Sequence, residues 1–222
     1  MSDRYGRCVR QWDVIFGAEP AKVPGDPSSG NETLDIALDW LCADTESALD
    51  FGCGNGTMLF LCALRKTKYH IGIDLSQKAI ENAEKRAKSM TAGTFSFARG
   101  GVEQLEQIQT DSVDAVILSN IVDNLYPDDA LLLLSECKRI LKPNGKALIK
   151  LNPYLTQQQI KDWDIHIIEG NLLNDGLLLW NNTTEEWQSI IGRYFHIAQY
   201  EEIYYPEHEQ TNRLFLVENR QA

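Results

Sequence analysis

"ALDFGCGNGTML", residues 48–59, is the stretch whose reading decides the fold. An apolar run ends in Asp50, passes three glycines at alternate positions (Gly52, Gly54 and Gly56) and enters a second apolar run at Thr57. A strand that enters a glycine-rich turn and opens a helix is a general nucleotide-binding device. Glycine lets the backbone approach a ligand and adopt dihedrals that a Cβ forbids. A dinucleotide turn of the form G-x-G-x-x-G would place its third glycine at position 57, where Thr57 stands. A phosphate-binding P-loop would end in Gly-Lys-Ser/Thr, which this turn lacks. An acidic residue at the mouth suits a cationic ligand better than a pyrophosphate.

Outward from the turn, strand-like apolar runs alternate with helical periods, the pattern of an α/β parallel sheet. Strands are expected at 47–51, 69–74, 94–98, 113–119 and 145–151. Ser76 reads as the cap of a helix whose face is Ile80, Ala83, Ala87 and Met90. Pro127, Asp128 and Asp129 open another helix, with Leu131, Leu134, Cys137 and Leu141 on one side. A helix near 31–42 follows the Pro/Gly/Ser loop at 22–31, and Thr183 with Glu186 forms a capping box for a late helix. Residues 196–205 and 212–219 read as an antiparallel hairpin. The expected fold class is α/β: a doubly wound, mostly parallel seven-stranded sheet with a C-terminal antiparallel hairpin and helices on both faces. It forms one domain over 1–222, made of an N-terminal cap segment (1–45), a cofactor-binding core (46–151), an insert or lid without clean periodicity (152–182) and a closing helix and hairpin (183–222).

The second strand ends in Asp74, 18 residues after Gly56. A carboxylate there accepts both hydroxyls of a ribose in dinucleotide folds. The two features together, in order and on the right elements, are far more specific than either alone.

With these pieces in place the chain resembles the class I S-adenosylmethionine-dependent methyltransferases, from about residue 47 to 151. "LDFGCGNG" (49–56) resembles their first motif and "GIDLS" (72–76) their second. "DSVDAVILSNIVDNL" (111–125) and "ECKRILKPNGKALI" (136–149) look like their fourth-strand region and the helix, turn and fifth strand after it. The resemblance implies S-adenosyl-L-methionine as cofactor, with S-adenosyl-L-homocysteine as product. Carried over by position, Asp50 lies near the methionine ammonium and Gly52, Cys53, Gly54 and Gly56 form the turn. Asp74 holds the ribose, Leu75 lies against adenine, and Asn120 meets the methionine end. Many relatives carry an Asp after the third strand that reads adenine; here Gly101 stands at that place, leaving the Val102 backbone or Glu103 for the role.

On that reading the reaction is a displacement at a methyl carbon already activated by the sulfonium, so alignment and exclusion of water are the enzyme's main work. The candidate catalytic residues are Asp123, as an orienting group or base, and His166 as a base. Asp123 reads equally as a loop carboxylate or helix cap, and His166 as a solvated histidine. Trp12, Asn124, Tyr154 and Trp180, with Tyr5, Phe16 and Trp163, are candidates for the acceptor pocket as a set. Each alone is ordinary packing. Cys53 reads as a structural thiol, since a turn residue faces cofactor or sheet, and no C-x-x-C or metal-ligand spacing is present.

Five cysteines without a pairing pattern and no apolar h-region at the start point to a cytoplasmic protein. No apolar run reaches the roughly 18 residues of a membrane span. The net charge of −11 opposes a nucleic-acid partner. Arg4, Arg7 and Arg10 are spaced to share a helical face; they read as a solvated basic face, though they would also suit an anionic acceptor such as a carboxylate. The expected activity is methyl transfer to O, N or C of a small molecule. The alternatives are a non-catalytic S-adenosylmethionine-binding regulatory or scaffold domain, or a methyltransferase acting on a protein.

Overall fold

A computed structural model of the chain describes residues 4–18 and 22–220. Helix α1 (Gly6–Ala18) and helix α2 (Glu32–Cys42, capped by the Asn31 side chain on Leu34 N) precede the first strand, β1 (Ser47–Phe51). The glycine turn leads straight into α3 (Thr57–Leu64), then β2 (Tyr69–Asp74), α4 (Gln77–Ala87), β3 (Thr94–Arg99) and β4 (Val113–Ser119). α5 (Pro127–Ile140) has Pro127 in its first turn, Asp128 and Asp129 at its positive end, and Lys138 and Arg139 in its last turn. It runs directly into β5 (Leu141–Leu151), a strand that begins before the Pro-Asn-Gly turn expected to precede it. The register against β4 breaks between Val113 and Ala115, which absorbs that turn.

α6 (Gln157–Asp162), β6 (His166–Glu169), β7 (Leu172–Asn174) and β8 (Leu178–Trp180) occupy the insert. The three strands form a separate antiparallel sheet in the order β6-β7-β8. Strands of three or four residues are too short to display a period, so the sequence pattern misses them. The chain closes with α7 (Thr184–Ile191), which carries the Thr183–Glu186 capping box, and the hairpin β9 (His196–Tyr205) and β10 (Gln210–Glu218).

The main sheet has the order β3-β2-β1-β4-β5-β10-β9. The first five strands pair in parallel, and β10 alone runs against its neighbours on both sides. Both faces are covered, which is why its strands read as nearly continuous apolar runs. Leu49, Val116, Leu118, Ile149 and Phe215 point to the face held by α5 and α7. Their neighbours Ala48, Ala115, Ile117, Leu148 and Leu214 point to α2 and α3.

α1 belongs to neither layer. It is a strap across the carboxyl end of the sheet, fastened at two helix N-termini. At one end the Tyr5 hydroxyl donates to Asp129 (2.7 Å) and accepts from Tyr126 N (3.0 Å), while Arg4 pairs with Asp128 and Asp129. Arg4 therefore leaves the basic face on which the spacing placed it with Arg7 and Arg10. At the other end Asp13 accepts from Ser76 Oγ (2.6 Å) and Lys78 N (3.2 Å) at the start of α4, and Asn82 donates to Phe16 O.

Tyr5→Phe leaves the Tyr126 N–H without its acceptor and Asp129 with one donor fewer. We expect a loss of about 1–2 kcal/mol, read as a lower urea midpoint at unchanged slope.

Candidate functional site

A cavity of about 170 Å³ lies under α1, at the carboxyl ends of β1, β2 and β4. α1 contributes Cys8, Val9, Trp12 and Phe16, with Tyr5 just before it. The opposite wall is Phe51 and Gly52 after β1, Ile73 to Ser76 after β2, Gly100 and Gly101 after β3, and Ser119 to Ile121 with Asn124 and Leu125 after β4. Tyr5, Cys8, Val9, Trp12 and Phe16 recur at helical spacing, so this stripe was present in the sequence as an apolar face.

The glycine turn has the conformation its sequence demands. Gly52 sits at φ +75° and Gly54 at φ +53°, in the left-handed region where side chains are strained. A Cβ on Gly54 would lie 2.7 Å from the Phe16 ring, and one on Gly52 would lie 2.9 Å from Ile121. The turn thus fits beneath the strap only as glycine.

Two carboxylates face this turn. Asp50 is 2% exposed, and its Oδ1 is buried without any hydrogen-bond partner. Burial, with the charge of Asp74 adding to it, pushes its carboxyl up to about 8. Asp74 accepts from Gly54 N and Ser76 N, each at 2.8 Å. Burial raises its pKa nonetheless; the two amides lower it and Asp13 on α1 raises it further. A buried, unsatisfied carboxyl oxygen beside a second carboxylate is what a site for a cationic ligand requires.

Of the residues the sequence singles out for the cofactor, Gly52, Asp74, Leu75 and Asn120 line the cavity. Asp50 lies beneath the turn, and Gly54 lies under Phe16. Gly56 has φ +82° and opens α3. Cys53 turns its sulfur toward Gly72 and Gly54 O, and burial pushes its thiol up, so it is no nucleophile. Val102 is buried in the core, and the exposed Glu103 folds back to accept from Gly101 N (2.8 Å). The cavity wall there is Gly100 and Gly101.

On the acceptor side the cavity gathers Trp12 and Asn124 with Tyr5 and Phe16; four other candidates fall outside it. Tyr154 and Trp163 are exposed on the insert, and Trp180 packs edge-on against the buried Trp187 at 5.0 Å. His166 is exposed on β6, an edge strand, and does not face the cavity. His166 and Trp180 sit on the small independent sheet, and Tyr154 and Trp163 flank α6 on the segment leading to it.

Asp123 is also corrected. It is fully buried, and it accepts from Asn152 N (2.7 Å) and Asn152 Nδ2 (3.2 Å). Burial pushes it up to about 6, against the pull of Asn152 and the charge of Arg213. It holds Asn152 rather than meeting an acceptor. Cys62, which stands alone in sequence, is buried with Cys42 in the apolar layer of α2 and α3.

With this geometry established, the likenesses to known proteins have a place. The family model described as "Methyltransferase domain" matches residues 43–202. The chain is 26% identical over 201 residues to the tRNA N(3)-methylcytidine methyltransferase trm140 of Schizosaccharomyces pombe, covering 86% of this chain and 65% of that protein. It is 24% identical over 185 residues to the human tRNA N(3)-cytidine methyltransferase METTL2B, covering 76% of this chain and 48% of that one. The chain thus spans less than two thirds of each of these relatives. Among solved structures, the N-methyltransferase NodS from Bradyrhizobium japonicum WM9, in complex with S-adenosyl-L-homocysteine, superposes with a TM-score of 0.68 at 15% identity, covering 96% of this chain and 99% of that one. A glycine turn over two buried carboxylates on a sheet of this order defines a class I methyltransferase. This chain belongs to the methyltransferase-domain family, whose cofactor is S-adenosylmethionine.

The residues fit that cofactor. When bound, it supplies a methyl group activated by its sulfonium. Asp50 would receive the methionine ammonium at its orphaned oxygen and Asp74 the ribose hydroxyls, while Trp12 and Phe16 would shut out water.

Because the folded pKa of Asp50 is raised, its contribution to the stability of the ligand-free chain is fully present below about pH 4 and is lost as pH rises toward 8. At pH 7 keeping this carboxyl buried costs about 4 kcal/mol relative to the unfolded chain. Asp50→Asn is expected to be more stable than the parent at pH 8, with the difference fading toward pH 4, and to bind cofactor on the order of a hundredfold more weakly. In the parent, binding should release a proton near pH 7 and tighten from pH 6 to 8. Chemical unfolding across pH, and titration calorimetry in two buffers of different ionisation enthalpy, check both.

Proposed function

We propose that the chain transfers the methyl group of S-adenosylmethionine to a small-molecule acceptor. The observation that carries this reading is the strap: α1 lies over the cavity and is fastened at both ends, at Asp128 and Asp129 and at Ser76 and Lys78. What remains is a pocket walled by Tyr5, Val9, Trp12, Ile121 and Leu125, of a size and apolarity suited to a compact ligand. A base of a folded RNA would need an open approach and a basic surface around it. The net charge of −11 opposes that, whatever the tRNA enzymes among its relatives act on.

The insert is the second wall in this reading. Gln11 on α1 approaches Gly176 in the β7–β8 turn, so acceptor entry runs between the strap and that hairpin. Five free cysteines accord with a reducing, cytoplasmic setting. None of the described helices is long and apolar enough to cross a membrane.

The test is the destination of label. Protein supplied with methyl-tritiated S-adenosylmethionine is incubated with a cell extract separated into small-molecule, RNA and protein fractions. Label is expected in the small-molecule fraction. Label in RNA or protein overturns the acceptor class, and label in none of them overturns catalysis in favour of a binding domain.

A further inference from the structure

Beyond β4, two asparagines line the cavity, and neither amide is free to turn over. A carboxylate or carbonyl oxygen only accepts, so the groups around these amides dictate which end of each is NH2. Asn152 Nδ2 donates to Asp123 Oδ1 and therefore presents its remaining hydrogen to Asn124 Oδ1, 3.0 Å away. That turns the NH2 of Asn124 outward, where one hydrogen is taken by Leu178 O. The two anchors, a carboxylate through Asn152 and a carbonyl on β8, impose the same orientation independently.

Asn120 repeats the device with different partners. Asn212 Nδ2 donates to Leu151 O (3.0 Å), and so it offers its other hydrogen to Asn120 Oδ1 (3.2 Å). The NH2 of Asn120 is left without a partner among the described residues, as is the second hydrogen of Asn124. Asn120 also holds φ +54°, a strained conformation fixed by its N–H to Lys150 O at 2.7 Å. The β4 wall thus presents locked donors four residues apart.

The charges behind this wall favour an anion. Arg213 is buried and spends its guanidinium on Asn152 O and Asn182 O, and Lys150 is half-buried with only the Tyr205 hydroxyl at 3.3 Å. Asp123 is the buried carboxylate facing both, and the exposed Glu185 also faces Arg213. Behind the β4 wall two cations thus stand against one buried carboxylate, while Asp74 and Asp50 lie on the β1–β2 side of the cavity.

We infer that the acceptor carries a carboxylate, received by the side-chain N–H groups of Asn120 and Asn124, with the backbone of Asn120 left to meet the methionine end of the cofactor. The inference rests on the reading that a small acceptor enters this cavity. Ser119, which lines the cavity beside Asn120, gives the carboxylate a further donor.

Binding to the protein saturated with S-adenosylhomocysteine tests it without a known substrate. The probes are benzoate, acetate and benzylamine, titrated by calorimetry. Benzoate is expected to bind at least about tenfold more tightly than benzylamine, and Asn124→Asp to weaken benzoate by about tenfold or more. Retained S-adenosylhomocysteine affinity shows that the variant is folded; should it unfold, the comparison of probes on the parent decides alone. Benzylamine binding as well as benzoate, no effect of a folded Asn124→Asp, or neither benzoate nor acetate binding below about 10 mM each overturn the inference. The label experiment fails separately: label in RNA with benzoate still bound overturns the small-acceptor reading, not the donor wall.

Discussion

Two carboxylates held out of water across one glycine turn are the constraint around which this molecule is organised. Burial and the charge of Asp74 raise the cost of ionising Asp50, and none of the described residues offers Asp50 Oδ1 a hydrogen. The turn between them needs left-handed backbone at Gly52 and Gly54, which no ordinary residue supplies cheaply. These features make a poor ligand-free fold and a good receptor for a cation with a sugar attached. The rest of the structure holds the turn in place while it is unsatisfied.

The holding is done by burial on both sides. The strands that flank the turn, β1 and β4, contribute side chains to both apolar layers, so the sheet cannot shift without exposing one of them. α1 does something different. Its apolar stripe covers the cavity and meets the core only through the partly buried Cys8 and Val9, and no residue of the helix is itself fully buried. Its attachment comes from Tyr5, Arg4 and Asp13, polar contacts at the N-termini of α5 and α4, where the backbone supplies positive ends. A layer held mainly by a few polar contacts can open at far less cost than one held by the core. A cover that must admit a cofactor needs that property.

How much of this was legible depended on whether the information lay in the local pattern. The glycine spacing, Asp50, Asp74, the Ser76 cap and the Thr183–Glu186 capping box are local, and each sits where its residues imply. The seven strands follow from apolar runs because both faces of the sheet are covered. The insert failed for a physical reason: strands of three and four residues carry no period, and β6 is exposed throughout, so its apolar Ile167 and Ile168 follow no buried face. His166, Tyr154 and Trp180 were drawn to the site by residue type; the small sheet takes His166 and Trp180 elsewhere, and Tyr154 lies exposed ahead of α6. Asp123 misled in another way. It was chosen for its position after β4, but its charge is spent on Asn152, a residue 29 positions away that no pattern couples to it.

That coupling is the kind of information a sequence does not display, and it bears on chemistry more than position does. Asparagine is chemically two-faced, and its presence on a cavity wall says nothing of whether a ligand meets a donor or an acceptor. The answer comes from groups behind the wall that can only accept: Asp123 through Asn152, Leu178 O on β8 and Leu151 O through Asn212. Each comes from a different element, brought together by β4, β5, β10 and the insert meeting at one corner of the sheet. The buried Asp123–Arg213 neighbours therefore serve less as a source of stability, where such pairs contribute little net, than as a means of fixing one arrangement out of several. The donor half of the site is written in a twelve-residue turn. The proposed acceptor half exists only once those separated elements have met.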